Sequence, residues 1–252
     1  MTQLGDRYAS TRKSWENIWD KASIEAELEA AGYARAQETI RAYLPFLSKA
    51  DAHLEAGSGL SAIVITLRNL GYDVHGLDYA VNALRASHRH DDSLPLAAGD
   101  VHQLPYRDNC FGSYLSFGVL EHFEHGMLPA LKEAYRVVKP GGVVVLTIPY
   151  PNLIYKLVQY RRKRARAGPL ADDSFYESAY TRQQLTEIVT EAGFKVELCE
   201  AASHAFTLWG LGGLFRASGY YKTSQLADCA GSLLKRILPW PFNFSTLIIA
   251  RK

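Results

Sequence analysis

The chain has 252 residues, 48% of them hydrophobic and 21% charged, an ordinary balance for a globular protein large enough to bury one sizeable core. A formal net charge of +2 gives no reason to expect nucleic acid or an acidic partner. Cys110, Cys199 and Cys229 stand far apart with no CxxC spacing, which excludes a disulfide framework and a zinc site and fits a reducing compartment. The N-terminus lacks the apolar run of a secretory signal, and Ala205 to Phe215, broken by glycines, falls short of the roughly 18–20 apolar residues of a membrane span. The expected location is the cytoplasm.

Residues 1–48 read as helical with no strand, a cap on the domain that occupies 49–252. There, short apolar runs alternate with helical patterns, as a parallel sheet covered on both faces requires. Ala52 to Ala56 is a strand, Leu60 to Leu70 a helix stopped by Gly71, and Asp73 to Leu77 a second strand. A helix from Ala80 to about Ser87, a strand from Phe111 to Phe117 and a helix from Leu128 to Val138 follow. Lys139-Pro140-Gly141-Gly142 ends that helix with a cation, a breaker and two glycines. Gly142 to Ile148 is the most strand-like run. A basic, tyrosine-rich insertion spans about 150–178, and then come a helix from Thr181 to Ala192, a strand from Phe194 to Leu198 and a strand from Phe244 to Ala250.

Leu54-Glu55-Ala56-Gly57-Ser58-Gly59-Leu60-Ser61 carries most of the chemical information. A strand enters, glycines turn the chain and admit a ligand to the backbone, and a helix leaves. Gly57, Gly59 and Ala62 also satisfy the dinucleotide pattern, so a nicotinamide enzyme is a competing reading. Glu55 argues against it, because a pyrophosphate wants bare helix amides, whereas a ligand bearing an ammonium and a sulfonium tolerates a carboxylate. Glu55 bracing the turn is the plainer alternative. Asp78, some twenty residues on, suits a ribose diol in either case. Tyr79 is placed to lie on the nucleoside or simply to pack. Gly99-Asp100-Val101 offers an acceptor and an amide to an adenine edge, although Gly-Asp is also a common turn dipeptide.

These segments, with the run "FGSYLSFGVLEH" from Phe111 to His122, "ALKEAYRVVKPGGVVVLTIP" from Ala130 to Pro149 and "TRQQLTEIVTEAGFKV", resemble the successive motifs of class I S-adenosylmethionine-dependent methyltransferases. The resemblance covers roughly residues 50–200. It implies a Rossmann-like α/β fold: a seven-stranded, mostly parallel sheet with an antiparallel last strand. It further implies S-adenosyl-L-methionine as cofactor, with Glu55, Gly57, Ser58 and Gly59 near the methionine portion, Asp78 and Tyr79 at the ribose, and Asp100 and Val101 at the adenine. Ser116 and Phe117, ending the fourth strand, would meet the methionine ammonium. Two positions depart from the family pattern. Ser61 stands for a frequent glycine, acceptable if helix has begun there, and Gly112 stands where an aspartate is frequent.

Such chemistry places the reactive group on the cofactor and leaves the protein to orient the acceptor and remove a proton. His122 is the candidate base, with a purely bracing role as the alternative and His125 in reserve. No metal is implied, since no His/Asp/Glu cluster has ligand spacing. Trp15 and Trp19, one helical turn apart near Tyr8, read as a lid wall or as a pin for the cap. Ile154, Leu157 and Val158 lead into Arg161-Arg162-Lys163-Arg164 and Arg166, a membrane-surface helix, a dock for an acidic substrate, or a solvated face. The leading expectation is methyl transfer to an oxygen or nitrogen of a small biosynthetic intermediate. C-methylation of a lipid-linked aromatic, and an inactive cofactor-binding subunit serving a partner, are the alternatives.

Overall fold

The computed structural model describes residues 4–157 and 177–252, with side chains from residue 11 onward. Seven strands form one sheet: β1 (Ala52–Ala56), β2 (Asp73–Asp78), β3 (Leu96–Ala98), β4 (Phe111–Phe117), β5 (Val138–Pro149), β6 (Lys195–Ala202) and β7 (Ser245–Arg251). Their order across the sheet is β3-β2-β1-β4-β5-β7-β6. The first five pair in parallel, and β7 runs antiparallel to both of its neighbours, β5 and β6. Strand order reverses between β1 and β4, so a crevice opens at the carboxyl ends of those two strands, where open α/β sheets bind ligands.

Helices cover both faces because the central strands are apolar on both. In β4, Tyr114 faces a core layer with Leu54, Leu131, Leu146 and Val189. Leu115, the next residue, faces the other layer with Val64, Val143, Val145 and Ile249. The first layer lies under α6 (Leu128–Val137) and α7 (Arg182–Glu191), and the second under α2 (Ile24–Ala31), α3 (Ala34–Tyr43), α4 (Ala62–Asn69) and α5 (Val81–His90). Several starts are locally capped: Ser23 Oγ accepts from the Ala26 amide, and Thr181 and Gln184 form a capping box. The N-terminal helix α1 (Leu4–Lys21) is fastened to the domain through Asn82, whose Nδ2 donates to Glu16 O at 2.8 Å and to Asp20 Oδ1 at 2.7 Å.

Four details differ from the sequence expectation. Helix α4 starts at Ala62, two residues late, because Ser58 to Ser61 closes a turn of its own (Ser61 N to Ser58 O, 2.7 Å). Ser61 has φ +59°, so it occupies the left-handed region that glycine suits and is not yet helix. The short edge strand β3 has too few residues to show a pattern. Between β6 and β7 the chain makes a helical excursion containing α8 (His204–Trp209) and α9 (Gln225–Ile237), the first of which overlaps the stretch weighed as a membrane span. Among the described residues no helix is long and apolar enough to cross a membrane.

At Gly112 the departure from the family pattern has a physical reason. A Cβ there would stand 2.5 Å from Cβ of Asp51, so a side chain from the preceding loop already fills that space. Asp51 also pairs with Lys139 at the start of β5. The basic run Arg161, Arg162, Lys163, Arg164 lies outside the described residues; ahead of it, residues 153–157 are helical.

Candidate active site

The glycine turn is held from below by β2. The amides of Gly57 and Ser58 both donate to Leu77 O, at 2.7 and 3.0 Å, and the Gly59 amide donates to Asp78 Oδ2 at 2.8 Å. Asp78 Oδ1 accepts from the Ala80 amide at 2.7 Å. Burial pushes the Asp78 carboxyl above its usual range, against the pull of the Ala80, Gly59 and Tyr79 amides. Each carboxylate oxygen retains acceptor capacity, so Asp78 can bind the turn and still accept from a ligand hydroxyl.

Above the turn, a cleft enclosing about 550 Å³, partly open to solvent, is lined by Gly57, Asp78, Tyr79, Val101, Phe117 and Phe123, among others, and roofed by Trp15 and Trp19 of α1. The two indoles stack at 5.4 Å, and Arg12 reaches over the Tyr79 ring at 5.7 Å. A second cleft shares Trp19, Gly57 and Phe117 with the first and continues to Glu55, Ser58, Glu27 and Arg35. The two clefts make one groove, apolar with a single carboxylate at one end and charged with both signs at the other.

Glu55 is buried, and its Oε2 accepts from the Val64 amide at 3.1 Å, so it braces the first turn of α4 while lining the charged end. Burial pushes its carboxyl up to about 8, with Asp78 and Glu27 adding in the same direction. Burial also raises Glu27 and lowers Arg35 from their usual values. The Arg35 guanidinium lies over the Phe206 ring at 4.5 Å, and its Nε is buried with no hydrogen-bond partner.

Of the residues expected from the sequence, the groove brings together Glu55, Gly57, Ser58, Asp78, Tyr79, Val101 and Phe117. Four line neither part. Gly59 lies behind the Trp19 ring, and Asp100 turns to His102, accepting from its amide at 2.8 Å with the His102 Nδ1 also 2.8 Å away. Ser116 Oγ donates to Ala56 O at 3.1 Å and ties β4 to the end of β1. His122 sits on a short 3-10 turn, Leu120–His122, edge-on to Trp15 at 5.2 Å.

Sequence reasoning passed over Glu121 on that same turn. It is buried, its Oε2 has no partner, and burial raises it to about 8, with Glu177 adding to the rise. The only signal was its place in the Leu120-Glu121-His122 run. Glu27 and Arg35, contributed by the helical cap, had no signal at all. Among the described residues no group of three His, Cys, Asp or Glu is arranged to hold a metal ion.

A doubly wound sheet with a glycine turn at its order reversal, and a groove offering an acidic acceptor, an apolar slot and a charged end, defines a nucleoside-binding α/β protein. The residues present suit S-adenosylmethionine: Asp78 for ribose hydroxyls, Val101 and Phe123 against a flat base, Glu55 and Glu27 for an ammonium and Arg35 for a carboxylate. Residues 54–146 match the model of a methyltransferase domain. That match covers the strands and the glycine turn of the groove, so this part of the chain is similar to a methyltransferase domain.

Among curated proteins it is 34% identical over 94 residues to the demethylmenaquinone methyltransferase of Streptomyces avermitilis, covering 37% of this chain and 40% of that one. It is 30% identical over 141 residues to the protein of that name from a Geobacillus strain, covering 48% and 60% respectively. The matched part thus spans less than two thirds of each of these relatives. Among solved structures it is similar to the methyltransferase of Haloferax volcanii complexed with the Trm112 activator (TM-score 0.65, 16% identity, 94% of this chain and 96% of that). It is also similar to Haemonchus contortus phosphoethanolamine N-methyltransferase 2 with bound S-adenosyl-L-methionine (TM-score 0.60, 19% identity, 94% and 60%). These likenesses show the fold.

Proposed function

We propose that the chain transfers the methyl group of S-adenosylmethionine to a small aromatic acceptor, and that a quinol ring carbon is the first acceptor to test. The observation that carries the transfer is the continuous groove from Asp78 past Gly57 to Glu55 and Arg35. The ring-carbon reading is supported by the curated relatives, which are named for demethylmenaquinone. Bound there, the cofactor would supply an electrophilic methyl on its sulfonium. The chain's own residues do the rest. Asp78 and the Gly57 to Gly59 turn fix the nucleoside, Glu55 and Arg35 fix the amino-acid end, and the indoles of Trp15 and Trp19 exclude water from above. Orientation of this kind supplies several kcal/mol of the barrier in bound reactions.

The acceptor must also lose a proton, and His122 and Glu121 stand on one turn at the end of β4 to receive it. This pair favours a second reading, transfer to the oxygen or nitrogen of a small molecule, because an O–H or N–H acceptor gains most from a positioned base. Incubation with labelled S-adenosylmethionine and demethylmenaquinol, a naphthol or an aromatic amine, followed by mass spectrometry of the product, separates the readings. Label on ring carbon supports the first and label on a heteroatom the second; protein that binds S-adenosylhomocysteine but labels none of the three counts against both.

A further inference from the structure

Helix α9 buries small residues and leaves several of its large apolar side chains exposed. A surface helix ordinarily buries its apolar stripe and shows its polar one. Here Ala227 and Gly231 are the buried residues, and Asp228, Gly231 and Lys235 line an open cleft shared with Glu38 and His204. The charged groups of α9 there are satisfied: Thr223 Oγ1 donates to Asp228 Oδ1 at 2.7 Å and Lys235 Nζ donates to Glu38 Oε1 at 2.6 Å. Gly231 lets α9 press on α8, since a Cβ there would stand 2.6 Å from the Ala205 nitrogen. Leu226, Leu233 and Ile237, at near-helical spacing, are all exposed, Ile237 at 60%.

This stripe continues at both ends. Leu214, 81% exposed, lies beside the start of α9, because its carbonyl accepts from the Ser224 hydroxyl that caps the helix. Past the other end, Leu238 is exposed, and Pro241 O accepts from the amide of the exposed Leu153 at 2.9 Å. Among the described residues, eleven of the fourteen exposed large hydrophobic side chains fall within 153–157 and 211–244, so the exposure belongs to one region. Contiguous apolar surface of this kind marks a contact.

Charge selects the occupant. Residues 203–244 contain Arg216, Lys222, Lys235 and Arg236 against the single acidic residue Asp228; Lys222 pairs with Glu29 and Lys235 with Glu38 of the cap, which leaves Arg216 and Arg236, close in the chain to Leu214 and Ile237, as the cations of the stripe. A second copy packed on the same face by two-fold symmetry would set these cations against their own copies. An apolar stripe rimmed with cations instead matches an anionic bilayer surface, into which such a helix sinks by its apolar side while lying in the plane. We infer that the outward face of α9, with Leu214 and Leu153, docks the protein on anionic lipid. The inference does not depend on which acceptor is methylated. It also concerns residues other than the basic run Arg161, Arg162, Lys163, Arg164, whose membrane contact is a separate proposal from the sequence.

The test is sedimentation of the whole chain with vesicles of phosphatidylcholine alone and of phosphatidylcholine with phosphatidylglycerol, against the variant Leu214→Ser/Leu233→Ser/Ile237→Ser. All three positions are exposed, so the variant should fold and bind S-adenosylhomocysteine like the parent. The expected result is parent binding to the anionic vesicles, reduced about tenfold or more in the variant, as loss of three buried apolar side chains requires. Equal binding by parent and variant overturns the inference, as does a parent that ignores anionic vesicles. A parent that dimerises where the variant is monomeric, with no vesicle binding in either, overturns it in favour of a second copy. Vesicle binding without methylation of any quinol leaves the inference standing and removes only the ring-carbon reading.

Discussion

The Trp19 indole lies so close to Gly59 that a Cβ on the glycine would stand 2.5 Å from Cζ2 and 2.7 Å from Cη2 of the ring. The cap and the glycine turn are thus one packed unit. Gly59→Ala should push Trp19 off the groove and cost about 1–3 kcal/mol, the usual range for overpacking. Titration with S-adenosylhomocysteine, followed by tryptophan emission, checks this. Trp19→Ala should weaken binding without unfolding the domain. Unchanged affinity in both variants would mean the indole is no part of the roof.

Asp78 braces the glycine turn and, in the proposed function, also accepts from the ribose, so its removal should show in two measurements. Asp78→Ala leaves the buried Gly59 and Ala80 amides without an acceptor and should cost about 1–3 kcal/mol of stability. Cofactor affinity should fall as well, because the ribose hydroxyls lose their acceptor. A variant with parental affinity by calorimetry would place the ribose elsewhere.

Glu55 links binding and stability to pH. Its folded value of about 8 lies above the ordinary 4.5, so the folded chain holds a proton that the unfolded chain releases. Stability from this group is therefore complete below about pH 4 and drains away as pH rises through 8. Glu121 acts in the same direction. Denaturant midpoints from pH 5 to 9 should fall for the parent and flatten in Glu55→Gln and Glu121→Gln. An ammonium arriving beside Glu55 favours its carboxylate, so S-adenosylhomocysteine should release a proton at pH 7. Calorimetry in buffers of different ionisation enthalpy should detect that release in the parent and not in Glu55→Gln.

Ser61 carries backbone strain that a glycine would relieve. Its φ of +59° is left-handed, a conformation costing an L-residue roughly 1–2 kcal/mol. Ser61→Gly should raise the melting temperature by about 2–4 °C, less whatever the extra freedom of the unfolded chain takes back. A lower melting temperature would show that the Ser61 hydroxyl, 3.5 Å from Ser58 Oγ, matters more than the strain.

The sheet was legible because its strands are short apolar runs punctuated by glycine, and the donor end of the groove because Glu55, Gly57 and Asp78 are local to strand ends. What escaped had physical reasons. Edge strand β3 has three residues, too few for periodicity. Asp100 sits in the expected turn, yet its carboxylate prefers His102, two residues away, a choice that spacing does not reveal. Glu27 and Arg35 reach the groove only because the cap folds over it, a tertiary fact with no local sign. Helix α9 misleads a reader of patterns, since Leu226, Leu233 and Ile237 are exposed while Ala227 and Gly231 are buried.

Ala202 at the end of β6 and Ser245 at the start of β7 are register partners, and the Phe244 amide donates to Ala202 O at 3.1 Å. Residues 203–244 therefore leave the sheet and rejoin it at a single rung. A segment attached this way can be exchanged, lengthened or shortened without moving any strand, because the hairpin beneath it closes regardless. The groove beside Gly57 lies at another point of the sheet, at the reversal between β1 and β4. Changes of sequence and length can accumulate in this detachable arch while the strands beneath it keep their register.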